Sequence, residues 1–330
     1  VSRFAAWVLG CVALTALLGM AGLLAGTSDV ATSFGWLGEP AAASDTVLWQ
    51  IRAPRTLGAW CAGALLALAG VLAQGVFRNS LADPYLLGSA SGAALGVALS
   101  LVGAGASFGG LAWAAQLGIT GAAFVGACAA ILLTLALARG VAQTTHLLLA
   151  GVVVGFVLAA ITSLLLIGSP EAWRAMQSFL LGSTGYLGWP ATGLLAAALL
   201  ACALPALLLA RGLDALTLGE DAARSLGLSV PVLRLTLLAL VSLATAATVA
   251  QVGAVGFIGL VAPHLARQRL HGTHRELLVA ATLAGGVLML AADVLSRWLI
   301  RPAELPVGAV TACLGGVYLI ALLWRRSRDE

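Results

Sequence analysis

Apolar runs of roughly 20 residues, the length that crosses a bilayer as an α-helix, alternate with short polar breaks along this chain. Nine such runs fall at about residues 4–26, 57–77, 86–104, 111–138, 144–167, 190–210, 232–250, 276–299 and 306–324. A tenth, at 253–267, is shorter and is interrupted by Gly256, Gly259 and Pro263; a broken helix is tolerated where neighbouring helices shield its backbone. The first run has Arg3 before it and small residues after it, as a signal peptide does, but it is longer than the usual h-region and reads as a retained span. Ten spans return both termini to one face of the membrane. The pattern predicts an all-α polytopic membrane protein forming a single domain over residues 1–330.

Two polar breaks carry structure of their own. In residues 211–234, RGLDALTLGEDAARSLGLSVPVLR, the spacing predicts a short soluble helix between the sixth and seventh spans. Thr217 and Glu220 have capping-box spacing and Gly227 stands where a helix commonly stops. Leu218, Ala222 and Leu226 recur every four residues and form one small apolar face. Such a helix is either a docking element for a soluble subunit or a segment resting on the membrane surface. The second break, 168–189, contains the apolar stretch Ala172 to Leu181, which reads as a re-entrant or interfacial helix. With residues 27–56 it forms the largest exterior surface, where a delivery partner would land.

Composition narrows the function classes. With 61% hydrophobic and 9% charged residues, the chain lacks the polar surface of a soluble protein. Its net charge of +4 comes from 17 arginines and no lysine. Twelve arginines fall on the side of the termini and five, Arg52, Arg55, Arg174, Arg297 and Arg301, on the other. The positive-inside rule therefore puts both termini and the 211–234 segment in the cytoplasm. The arginines form no single patch, so nucleic acid is not an expected partner. Without lysine neither a Walker A loop nor a Schiff base can be built, so any ATP hydrolysis must come from another chain.

Candidate chemistry inside the membrane is sparse. Cys11, Cys61, Cys128, Cys202 and Cys313 lie singly in apolar runs and read as small buried hydrophobes. His271 and His274 have a spacing that could grip a metal, but Glu276 is the only acidic third ligand nearby. Asp293, Glu304 and Glu171 lie toward exterior ends of spans, while Asp83, Glu220 and Asp221 are cytoplasmic, so no midplane proton relay and no intramembrane protease motif is present. Gly151 and Gly155 in AGVVVGF suit a subunit interface, a pathway-facing seam or ordinary packing between helices. Arg52 and Arg55, with Arg297 and Arg301, form two exterior clusters. They read either as headgroup anchors or as partners for carboxylates of an incoming protein.

Several long segments carry a family resemblance in the same order. RAPRTLGAWCAGALLALAGVLAQGVFRNSLADPYLLGSASGAALG is similar to the Arg-x-Pro-Arg lead into the second span and the Asn-Pro-Leu-Ala-(Asp/Glu)-Pro turn of FecCD-type permeases. Ser80 stands where the first proline of that turn is common. TLGEDAARSLGLSV resembles the family's coupling segment, and VGFIGLVAPHLAR with ADVLSRWLIRPAELPVGAVTACLGG resembles its C-terminal signature. These permeases are the membrane subunits of type II ATP-binding-cassette importers for haem, ferric siderophores and cobalamin, and the run of residues looks closest to the haem importers.

The resemblance implies a cobalamin-importer-like fold of about ten spans, in a bacterial inner membrane. It implies two copies of this chain, two cytoplasmic ATPases that hold ATP and Mg, and one periplasmic binding protein; no cofactor is expected on this chain itself. By the same resemblance Arg52, Arg55 and Arg297 would pair with glutamates on the binding protein. Glu220, Asp221, Ala222 and Arg224 would lie in the helix received by the ATPase. Asn79 to Leu81 and Thr144 with Thr145 would form cytoplasmic gate turns, and the span at 144–167 would line the pathway between subunits. Pro263 and His264 match a family Pro-His pair, which makes His264 structural rather than a haem ligand.

Overall fold

The computed structural model describes residues 2–24, 46–103, 112–138, 144–270, 272–300 and 303–329, with backbone only for 112–117, 144, 323 and 325–329. Among the described residues the secondary structure is helical. The order is α1 (Arg3–Leu24), α2 (Ala53–Phe77) led in by a π-turn at Leu48–Arg52, a 3-10 turn at Pro84–Leu87, α3 (Ser89–Gly103), α4 (Ala112–Leu137), α5 (Thr144–Ile167), α6 (Pro170–Leu181) and α7 (Trp189–Leu208). There follow α8 (Ala210–Thr217), α9 (Glu220–Ser225), α10 (Val230–Val252), α11 (Ile258–Arg269), α12 (His274–Trp298) and α13 (Val307–Asp329).

Among the described residues, seven helices are long and apolar enough to cross a membrane: α1, α2 with its lead-in, α4, α5, α7, α10 and α12. α3 and residues Val307–Leu322 of α13 are apolar but shorter. The nine expected runs are thus all helices. The interrupted tenth is α11, whose 12 residues reach about 18 Å at 1.5 Å per residue, roughly half a bilayer core.

α2 is the axis of the bundle. It is buried over nearly its whole length and packs against α12, α10, α7 and α11. Close approach depends on glycine. A methyl group on Gly63 would strike the Gly285 carbonyl and Met289 of α12, and one on Gly70 would strike the backbone of Gly259 in α11. α3 and α4 meet in the same way, through Gly92 and Gly126.

The break between α10 and α11 shows how unwound backbone survives inside the bundle. The amide of Ala254 donates to the Phe179 carbonyl at 3.1 Å, and that of Ser183 donates to the Val252 carbonyl at 2.9 Å. The end of α6 therefore takes over groups the helices leave unpaired, as apolar surroundings require. Gly253, at φ 72°, and Gly308 have no side chain to hold these backbones apart. The stretch expected as a re-entrant or interfacial helix is thus a helix, α6, with its C-terminal end braced against this break.

Candidate functional site

The 211–234 segment forms two short helices rather than one. α8 turns Leu213, Ala215 and Leu216 inward, with Leu213 beside Gly75 of α2. The expected capping box between Thr217 and Glu220 does not form, because Thr217 is still the last residue of α8 and its hydroxyl donates to the Asp214 carbonyl at 2.6 Å. The cap of α9 is instead Gly219, whose φ of 113° and ψ of 160° suit glycine alone. Gly227 does stop α9: at φ 80° its amide donates to the Arg224 carbonyl at 2.9 Å while that of Leu228 reaches Ala223 at 3.1 Å. That pair of bonds is a Schellman motif.

Freed from capping, Glu220 collects three arginines. Arg234 of α10 lies at 2.6 Å, Arg224 at 3.2 Å and Arg78 at 3.6 Å. The hydrogen bond from Arg234 holds the Glu220 carboxyl below the ordinary carboxylate range, against an opposing effect of desolvation, and the charges of Arg234, Arg224 and Arg78 reinforce it. Asp221 is exposed and pairs with Arg224 at 3.0 Å. On α8, Asp214 accepts from the His274 amide at 3.0 Å and contacts its ring Nδ1 at 2.6 Å, tying the segment to the start of α12. His271 lies outside the described residues. The apolar face divides: Ala222 is half-buried, but Leu218 and Leu226 are 74% and 65% exposed.

Arg78 links this segment to the turn expected to form a gate. It sits at φ 48° just after α2, where its amide and that of Asn79 close a second Schellman motif on Gly75 and Gln74. Asn79 Oδ1 accepts from the Leu81 amide at 2.9 Å, so a side chain supplies rigidity where Ser80 replaces a proline. Asn79 and Leu81 are exposed. Asp83 Oδ1 then accepts from Tyr85 at 2.8 Å and caps the 3-10 turn. Thr144 and the exposed Thr145 open α5, which packs along that turn.

The two glycines of α5 share a setting. Gly151 lies against the Leu86 carbonyl within the chain. Together with Gly155 it borders a cavity of about 410 Å³ shared with Asp83, Tyr85, Ser91 and Phe156. Much of the rest of α5 is uncovered, with Phe156, Leu164 and Ile167 strongly exposed.

At the other end of α2, the arginines expected on the surface are buried. Arg52 and Arg55 are 8% exposed and Arg297 is 4% exposed. Arg52 donates to the Leu23 carbonyl at 3.0 Å and Arg297 to that of Gly22 at 2.9 Å, satisfying carbonyls at the C-terminal end of α1, where positive charge is favoured. Asp293 has no exposed side-chain surface and is the hub. It accepts from Arg297, from Arg55 Nε at 3.1 Å and from the Thr184 hydroxyl at 2.6 Å. Arg55 Nη1 also donates to both oxygens of Glu304, at 2.8 and 3.1 Å. These three side chains are thus buried and engaged within the chain, not exposed as both the headgroup-anchor and the docking readings expected, and Arg301 lies outside the described residues. Asp293 and Glu304 were not linked to the arginines by sequence reasoning, although the four-residue spacing of Asp293 and Arg297 within a helix was a usable signal.

Residues 13–325 match the FecCD transport family. The chain belongs to that family. As a FecCD protein it is the permease subunit of an ABC importer, a multi-span inner-membrane protein whose family implies ATPase and binding-protein partners. Among its relatives, the hemin transport system permease protein HmuU of Yersinia pestis is 40% identical over 286 residues, 86% of this chain and 85% of that protein. The vitamin B12 import system permease protein BtuC of Salmonella paratyphi A is 37% identical over 328 residues, 98% and 96% of the two chains. A structure described as an inward-facing conformation of a metal-chelate type ABC transporter superposes with a TM-score of 0.85 at 28% identity, covering 96% of this FecCD chain and 98% of that one. The all-α bundle expected from the sequence is thus the fold of an importer permease.

Proposed function

We propose that two copies of this chain form a pathway that imports haem from a periplasmic binding protein to the cytoplasm, driven by two ATPases docked on α8 and α9. The observation that carries this reading is the position of α2. A single buried helix runs from Arg55 in its first turn to Arg78 just past its end, so one rigid element touches both the arginine cluster and the Glu220 network. The 12-to-5 division of arginines supports a cytoplasmic position for α8, α9 and both termini. Leu218 and Leu226, apolar and uncovered, are the proposed contacts for the ATPase, flanked by Glu220, Asp221 and Arg224. With no lysine in the chain, ATP and Mg belong to that partner.

At the periplasmic end the binding protein would engage the cluster of Arg52, Arg55 and Arg297, reaching Arg55 through its contact with the more exposed Glu304. The exposed face of α5 is the proposed pathway wall, with Gly155 beside the cavity and the Asn79–Leu81 and Thr144–Thr145 turns as its cytoplasmic gate. Haem is preferred because the hemin permease has the higher identity, 40% against 37%. Cobalamin is the second reading, favoured by the longer alignment with BtuC, and a ferric siderophore would use the same mechanism. The test is to reconstitute the permease with its ATPase and titrate binding protein loaded with haem, cobalamin or a ferric siderophore while following ATP turnover. Stimulation greatest with haem supports the proposal; stimulation by another cargo alone reassigns it.

A further inference from the structure

Among the contacts described above for the arginine cluster, one can be exchanged without unpairing a deeply buried charge. Arg52 and Arg297 each give a nitrogen to a main-chain carbonyl at the end of α1. Arg297 and Arg55 Nε both face Asp293, whose carboxylate is wholly buried and further held by Thr184. Removing any of these leaves a charge without its partner in a dry setting, which is costly. Glu304 differs. Its side chain is 37% exposed, and it reaches Arg55 from the segment between α12 and α13 with both oxygens on one guanidinium nitrogen. Gly185 borders both groups and adds no side chain above them.

We propose that Glu304 is an internal stand-in for the docking carboxylate, holding the outer edge of Arg55 until a carboxylate of the binding protein replaces it. This rests on the docking function assigned to Arg55 above. Docking is then an exchange of one carboxylate for another at a constant guanidinium, not the formation of a new ion pair. Arg55 stays neutralised when the partner is absent, so its charge is never left bare beside the apolar span. The exchange also caps affinity, because each docking event must displace a group already tethered at high effective concentration. The backbone need not move: the amide of Leu305 remains on the Ser296 carbonyl at 3.0 Å, and rotation of one exposed side chain frees the nitrogen.

The test uses the full permease–ATPase complex in nanodiscs and its cognate binding protein, with affinity measured for wild type, Glu304→Gln, Arg55→Lys and the double variant. Arg55→Lys keeps a positive charge beside Asp293 but removes the second arm, and thermal unfolding of each variant verifies folding. The exchange predicts that Glu304→Gln tightens binding roughly fivefold, the scale of a rim ion pair, that Arg55→Lys weakens it, and that Glu304→Gln has no effect in the Arg55→Lys background. Weaker binding in Arg55→Lys with no gain in Glu304→Gln overturns the exchange while leaving Arg55 as a docking residue. A gain that persists in the double variant also overturns it, since Glu304 would then act by repulsion. No change in any variant overturns the docking function itself.

Discussion

Three side chains converge on Asp293, and two of them carry a full positive charge. Asp293→Asn would leave Arg55 and Arg297 buried with Glu304 as their only acidic partner among the described residues, a loss on the order of 3–5 kcal/mol. A clear drop in the thermal midpoint of the purified permease, followed by tryptophan fluorescence, is the expected outcome; an unchanged midpoint would mean the cluster is solvated. Glu220 makes a different prediction. Its folded-state pKa lies below the unfolded value, so its stabilising contribution is complete above about pH 4.3, the ordinary glutamate value, and disappears as pH falls through the lowered one. The midpoint difference between wild type and Glu220→Gln should therefore be largest near neutrality and vanish in acid. Both networks were only partly legible in the sequence. The arginines were visible as clusters, but Arg55 meets a residue 238 positions away, and no local spacing encodes that distance. Thr217 failed as a cap for a local reason: its hydroxyl was already engaged within α8.

Helices were read correctly from hydrophobic run length because in a bilayer each span must satisfy its own backbone. Their ends were harder, since a polar helix such as α8 continues directly from α7 with only Leu209 between. The joint between α8 and α9 gives a prediction at this scale. Gly219 has open space around it, so Gly219→Ala tests backbone conformation alone; at its φ and ψ the cost is about 1–3 kcal/mol, borne by the α8–α9 joint. Amide exchange in residues 217–227 should quicken while the core of α2 stays protected. By contrast, Leu218→Ser with Leu226→Ser removes exposed apolar surface and should leave the thermal midpoint unchanged. Co-purification of the ATPase should fall severalfold, and retained association would remove these leucines from the interface.

Across the whole molecule, α2 joins the two charged ends through a core in which glycine replaces side-chain bulk. Gly70→Val would force α2 and α11 apart and should abolish a monodisperse permease, whereas the same change at Gly193, which has open space around it, should be tolerated; size-exclusion profiles distinguish the two. In the proposed importer that rigid axis would carry binding on one face to the other, with the energy supplied by the partner ATPase. Uptake into proteoliposomes tests this most directly, with haem-loaded binding protein outside and ATP inside. Uptake that requires the ATPase, ATP and the binding protein together is the predicted result. Uptake by the permease alone that follows an imposed proton gradient would contradict it.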